Sequence, residues 1–284
     1  MNVDPTGRIA IWDRYGRITA ADAQAAENLG YAALWLGGAP PATSAQVESA
    51  LTTALEATTS LTIGSSIINI WSTPADQAAA LFHRYEQRFP GRFLLGIGGG
   101  HPELTPAPRK PVRTLMEYLD ALDRAGVPIQ RRILAALGPR ALELARERSA
   151  GSITYLATPE HTGRARKILG DDALLVSEQK IVLDTDPVRA RQTARPMIEF
   201  YLELRNYKAH LARLGFAADA TASGSDTVID ALVAHGTADR ITRRVTAHLD
   251  AGADQVAVQF LARDHLAAAR LFAFSLDRIV RERA

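Results

Sequence analysis

Short apolar runs rich in β-branched residues alternate with longer Ala-rich amphipathic stretches along the chain, the pattern of repeated βα units. The first predicted strand is Arg8 to Trp12, followed by a helix from Ala20 to Leu29 with Thr19 as N-cap and Gly30 as its stop. Ala33 to Leu36 is the second strand, and its unbroken apolar character suits burial on both faces. Gln46 to Ala57 reads as helix and Leu61 to Ile68 as the third strand. Thr73-Pro74 opens a helix that reaches Gln87, with Thr73 as N-cap and Pro74 in the first turn.

The alternation continues with strand Arg92 to Ile97, helix Leu115 to Ala125 and strand Ile133 to Ala136. A helix starting at Pro139 ends near Gly151, strand six is Ile153 to Leu156, and a helix from Pro159 to Leu169 is closed by Gly170. Ala173 to Val182 contains strand seven, and Asp186-Pro187 caps a long helix reaching Leu214. Residues 217–226 are small and polar and are predicted to be loop. Thr227 to Ala234 and Ala238 to Ala251 are predicted helices, Gln255 to Phe260 is strand eight, and His265 to Arg283 is the closing helix.

An open doubly wound sheet would carry a Gly-rich nucleotide loop after its first strand, and none follows Trp12. The expected fold is therefore a single (β/α)8 TIM barrel, with the 284 residues forming one domain. Apolar residues make up 47% of the chain, enough for a large core, and a net charge of +2 from scattered Lys and Arg argues against a nucleic-acid partner. The absence of cysteine removes disulfides, thiolate metal sites and cysteine nucleophiles. The N-terminus lacks a signal-peptide pattern, and no apolar run is long enough to span a bilayer, so a cytoplasmic protein with no membrane partner is expected.

In a barrel the reacting groups sit at the C-terminal ends of the strands. That rule selects Trp12, Gly37-Gly38, Ser66 to Trp71, Gly98 to His101, Leu137 to Arg140, Ala157-Thr158, Glu178-Gln179 and Gln259. Leu137-Gly138-Pro139-Arg140 is the clearest anion site, because a helix N-terminus offers open N–H groups and Arg140 adds a guanidinium. Ordinary helix initiation beside a solvated Arg gives the same pattern. Gly98-Gly99-Gly100 removes three side chains at the mouth of strand four, which suits either a ring lying close to the backbone or a flexible loop. His101 follows and is the candidate for proton transfer, against the alternative of a surface His without a role. Trp12, Asn69 and Trp71 are placed to wall a substrate pocket, although aromatics at strand ends often serve packing alone. No His spacing, H-E-x-x-H motif, Walker loop or G-x-S-x-G elbow is present, so no metal site is expected.

Several segments resemble the luciferase-like superfamily. They are Leu61 to Ile67 with Thr73-Pro74-Ala75, Gly91 to Gly98, Ala135 to Ala145, and Ala251 to Val256. Each is weak alone, but they occur in family order from end to end of the chain. Gly98-Gly99-Gly100-His101, Tyr118-Leu119-Asp120-Ala121-Leu122 and the stretch Tyr155 to Thr162 are similar to the branch that uses coenzyme F420. The resemblance implies an F420-dependent oxidoreductase acting on a small molecule, with a flavin-type phosphate held at the turn of Gly138. It also implies a cofactor ring against Ser66 and Ile67, where the family often has a non-prolyl cis peptide, and a homodimer. Helices after strands two and three are candidates for the dimer face. Arg109, Lys110 and Arg113 suit either attraction of an acidic cofactor tail or a solvated charged loop. Two features depart from relatives: Leu36-Gly37-Gly38-Ala39-Pro40 has no ionisable side chain after strand two, and His101 stands where some relatives use Glu. An FMN-dependent monooxygenase of the same fold and a barrel that binds cofactor without catalysis, or one of another family, remain as alternatives.

Overall fold

The computed structural model describes residues 5–38, 42–101, 103–104, 111–222 and 224–283, with the side chains of 5–6, 111, 222 and 275–283 excepted. Eight parallel strands form the barrel: β1 (Ile9–Arg14), β2 (Ala33–Gly37), β3 (Thr62–Ser66), β5 (Phe93–Gly98), β6 (Arg132–Ala135), β7 (Gly151–Thr154), β8 (Leu174–Val182) and β10 (Gln255–Phe260). Two short pieces, β4 (Ile68–Asn69) and β9 (Val233–His235), lie at its C-terminal rim. The pairing of β10 with both β8 and β1 closes the ring. All eight predicted strands are present in the predicted order.

Helices α1 (Ala20–Asn28), α2 (Ser44–Ala57), α3 (Ala75–Arg88), α4 (Pro111–Arg124), α5 (Pro139–Arg148), α6 (Pro159–Leu169), α7 (Pro187–Leu202), α8 (Arg205–Leu214), α9 (Ala218–Ala222), α10 (Asp226–Leu232), α11 (Ala238–Asp250) and α12 (His265–Arg283) surround it. Local chemistry explains many of their starts. Thr19 and Thr43 each head a reciprocal capping box, and Thr158, Asp186, Ser225 and Thr237 accept bonds from N–H groups of the first turn. Thr73 does not cap: α3 begins one residue later, with Pro74 at the N-cap position and the Thr73 hydroxyl 3.3 Å from Ser44 Oγ.

Four further departures from the sequence expectation concern where elements break, begin or end. The predicted third strand is split into β3 and β4 at the Ser66–Ile67 peptide, which is cis as the resemblance implied. The helix expected from Pro187 to Leu214 breaks into α7 and α8 around Leu204, which is buried and extended although no Gly or Pro marks the place. The predicted loop 217–226 contains the short α9. The helix predicted to Ala234 stops at Leu232, because Val233–His235 pairs with Lys180–Val182 as an added strand.

The core has two concentric parts. Outward residues of the strands, such as Ile11, Leu34, Leu36, Phe93 and Val256, pack under the helices. Inside the barrel lie Ala10, Trp12, Ala33, Trp35, Ile133, Ile153, Val176 and Ala257. The Trp35 indole N–H donates to Gln255 Oε1 at 2.7 Å, which satisfies the polar end of the largest buried side chain. A third cluster joins α7, α8 and α10 through Ile198, Tyr201, Leu204, Tyr207, Leu211 and Ile229. It seats α8 beside the C-terminal mouth, where the site forms.

Candidate active site

A cavity of about 390 Å³ opens at the C-terminal ends of the strands, within the range of small-molecule sites. Part of its lining is apolar, built by Ile67, Ala135, Ala136 and Ile153. Another part is aromatic: Trp12, Tyr155, Tyr201 and Tyr207 line it. Their rings interlock, with Trp12–Tyr155, Tyr155–Tyr201 and Tyr201–Tyr207 centroids 5.1, 5.2 and 5.2 Å apart. The Trp12 indole N–H donates to Ser66 Oγ at 2.8 Å, tying this wall to the cis peptide beside Ile67.

Behind Tyr155 is a buried ion pair. Lys180 Nζ sits 3.0 Å from both Glu178 oxygens and 3.6 Å from the Tyr155 ring centroid, while Leu156 N–H donates to Glu178 Oε2. Both side chains are sealed from solvent. Burial lowers Lys180 to about 8 against the opposing pull of Glu178, and burial raises Glu178. The Tyr155 hydroxyl donates to Gln259 Oε1 at 2.9 Å. The ring is thus held at both its face and its tip.

The rim after β5 is shaped by glycine. Gly100 has φ +56°, and a Cβ there would stand 2.4 Å from Asn69 Nδ2. Asn69 itself lines the cavity, and its Oδ1 accepts from the Trp71 N–H. Trp71 lies outside the lining; its indole N–H donates to Gly99 O at 2.7 Å and props the glycine loop from behind. Gly98 packs against Ile67 and Ala135 inside the strand, while Gly99, Gly100 and His101 face the cavity. His101 is half-buried, with Nδ1 3.1 Å from Asn206 Oδ1. Burial lowers its pKa, outweighing Asn206 and the nearby Glu103, so the imidazole is neutral near pH 7.

At the far end, Leu137, Gly138 and Ala141 line the cavity where α5 begins. No side chain caps this helix, and the position of a Gly138 Cβ is open but for Arg213 Nη2 at 4.0 Å. Pro139 and Arg140 are exposed and lie outside the lining, whereas Arg213 of α8 is in it. No described carboxylate pairs with Arg213. A helix N-terminus with an unpaired guanidinium beside it suits a phosphate. The apolar lining formed by Ile67, Ala135, Ala136 and Ile153 suits a planar ring. An elongated ligand with a ring and one anionic end, such as a flavin or deazaflavin nucleotide, therefore fits the residues present. No cluster of His, Cys, Asp or Glu able to hold a metal occurs among the described residues. Arg109 and Lys110 lie outside the described residues, and Arg113 is exposed and pairs with Glu117.

The profile of the luciferase-like monooxygenase family matches residues 15–255. The chain belongs to this family. It is thus a luciferase-like oxidoreductase. Its fold is similar to an F420-dependent secondary alcohol dehydrogenase in complex with an F420–acetone adduct (15% identity, 94% of this chain and 97% of that one, TM-score 0.74). It is also similar to the coenzyme F420-dependent tetrahydromethanopterin reductase from Methanopyrus kandleri (17% identity, 94% and 97%, TM-score 0.71). A third similar structure is the oxygenating constituent of 3,6-diketocamphane monooxygenase from Pseudomonas putida in complex with FMN (14% identity, 95% and 96%, TM-score 0.64). At these identities the likeness is one of fold. No curated protein matches the chain.

Sequence reasoning did not single out Tyr201, Asn206, Tyr207 or Arg213. They sit on α7 and α8, far along the chain from any strand end. The signal available was faint: two tyrosines and an asparagine within seven residues of an otherwise charged helical stretch.

Proposed function

We propose that this chain is a coenzyme F420-dependent oxidoreductase that moves hydride between the deazaflavin and a small organic substrate. The observation that carries the reading is His101, an imidazole on the cavity rim directly after the bare glycine loop, with its pKa lowered by burial. Hydride transfer to or from a carbonyl carbon needs a group that moves a proton at the neighbouring oxygen, and a neutral imidazole at that place does so. When bound, the deazaflavin supplies or accepts the hydride. Gly138 and Leu137 at the α5 N-terminus, with Arg213, hold its phosphate; Ser66, Ile67, Gly98, Gly99 and Gly100 form the surface for its ring. Trp12 and Asn69, with Tyr155 and Tyr207, exclude water and bound the substrate. The two F420-dependent enzymes of similar fold support the same cofactor.

One observation favours a second reading. The Gly138–Arg213 cradle accepts the phosphate of FMN as readily, and the similar diketocamphane enzyme binds FMN. The test is titration of the purified protein with F420 and separately with FMN, following tryptophan fluorescence. Binding of F420 in the micromolar range with much weaker FMN is the expected result. Tight FMN binding without F420 binding would replace the reading with an FMN-dependent monooxygenase. Binding of neither would leave a barrel whose cofactor role is refuted.

A further inference from the structure

We infer that Asn206 is a positioning residue that fixes His101 as the Nδ1–H tautomer and so leaves Nε2 as the atom that accepts a proton. The inference rests on the reading of His101 given above. Asn206 Oδ1 lies 3.1 Å from His101 Nδ1, across 105 residues of chain. An amide oxygen only accepts, so the proton of the neutral ring is on Nδ1 and the lone pair is on Nε2. Free histidine favours the opposite tautomer, with the proton on Nε2. The geometry therefore selects the less populated form.

The surroundings show a grip rather than one chance contact. Leu204 occupies the N-cap of α8 and offers no side-chain cap. Glu103 takes its place, accepting from the Arg205 N–H at 3.1 Å, with Arg205 Nε 3.8 Å from the same oxygen. Tyr207 then lays its ring 5.3 Å from the imidazole. Three consecutive residues at the start of α8 thus hold His101 and Glu103 of the loop after β5. Among the described residues, the charged and titratable groups facing His101 are Glu103, itself paired with Arg205, and Tyr207; Arg213 lines the same cavity. None of these groups takes the place of the Asn206 oxygen at Nδ1.

A mere loop staple would hold the same Nδ1–H tautomer but leave turnover unchanged, so NMR reads the tautomer and kcat separates the two roles. The experiment is long-range ¹H–¹⁵N NMR on histidine-labelled apo protein above the imidazole titration, with H101Q assigning the signal. Wild type is expected to show Nδ1–H and an unprotonated Nε2, and Asn206→Leu to revert to Nε2–H. Asn206→Asp keeps the polar contact and adds charge, so it should raise the His101 midpoint by about one unit or more. An Nε2–H wild type, or an unchanged tautomer in folded Asn206→Leu, would overturn the inference. With cofactor and substrate, Asn206→Leu should lower kcat about tenfold or more while KM stays within about twofold. A reversed tautomer with unchanged kcat would remove His101, and Asn206 with it, from the reaction. The NMR result needs no cofactor, so a failure of the F420 reading is told apart from a failure of this one.

Discussion

Two arginines compete for the anionic end of the cavity, and residue-scale geometry separates them. Arg140 follows Gly138 in the chain but is exposed and turned away from the lining. Arg213 comes from another helix and reaches within 4.0 Å of the Gly138 Cβ position. A guanidinium beside open helix N–H groups binds phosphate in a way a solvated one does not. Arg213→Ala is expected to weaken cofactor binding about tenfold, or ~1.4 kcal/mol, and Arg140→Ala to change it far less. Fluorescence titration of both variants checks this; equal effects would place the phosphate elsewhere. Arg140 illustrates the limit of chain adjacency. Position next to a helix start was legible in the sequence, but the direction of the side chain was not.

The packing of β3 against β5 sets the scale of elements. A Cβ on Gly96 would lie 1.7 Å from Ser65 O, and Ser65 Oγ already spans the pair, donating to Gly96 O at 2.9 Å and accepting from Gly96 N. The obstruction is backbone, which cannot swing aside as a flexible side chain can. Gly96→Ala is therefore expected to cost about 3 kcal/mol or more, seen as a lower urea midpoint, and to loosen the adjacent Ser66–Ile67 wall. A midpoint within error of wild type would show that the two strands part easily. The strand itself was legible from Arg92 to Ile97 as a short apolar run. The break of the long helix at Leu204 was not, since no residue type signals it. Burial of Leu204 between Tyr201 and Tyr207 in the α7–α8–α10 cluster decided it, and this break sets Asn206 at a helix start, facing His101.

Over the whole molecule, buried histidines set the acid limit. His248 is enclosed between Thr162 Oγ1 at 2.8 Å and Gln179 Oε1 at 3.1 Å, and burial, with help from Arg244, depresses it to about 3. His210 falls to about 3 and His161 to about 4, through burial first; each ring lies against the other, near Arg213 and Arg164. Their folded pKa values lie below the unfolded value of about 6.5, so between about 4 and 6.5 the unfolded chain binds more protons than the native one. Stability is full above 6.5 and falls as pH drops through that window, by roughly 1.4 kcal/mol per histidine per pH unit. The urea midpoint at pH 5 should lie well below that at pH 7. Carboxylates act lower: burial pushes Glu27 up, but N–H groups of Ser60, Leu61 and Thr59 outweigh it and hold it down to about 2. Equal midpoints at pH 7 and 5 would mean that these rings take up protons in the native state as readily as in the unfolded chain.

The order of strands and helices followed from the sequence alone, because period and composition report which residues are buried, and a regular βα alternation with no nucleotide loop leaves a barrel as the consistent arrangement. The positions at strand ends followed too, since the fold places chemistry there; His101, Trp12, Asn69 and Gly138 all line the cavity. What lies across the cavity from them did not follow. Tyr201, Asn206, Tyr207 and Arg213 reach the mouth because α7 and α8 pack back over it, a consequence of long-range burial with no local signature. Glu178 was selected as a strand-end position, but its pairing with Lys180 under Tyr155 did not follow from the sequence, because only closure of the barrel turns both side chains inward.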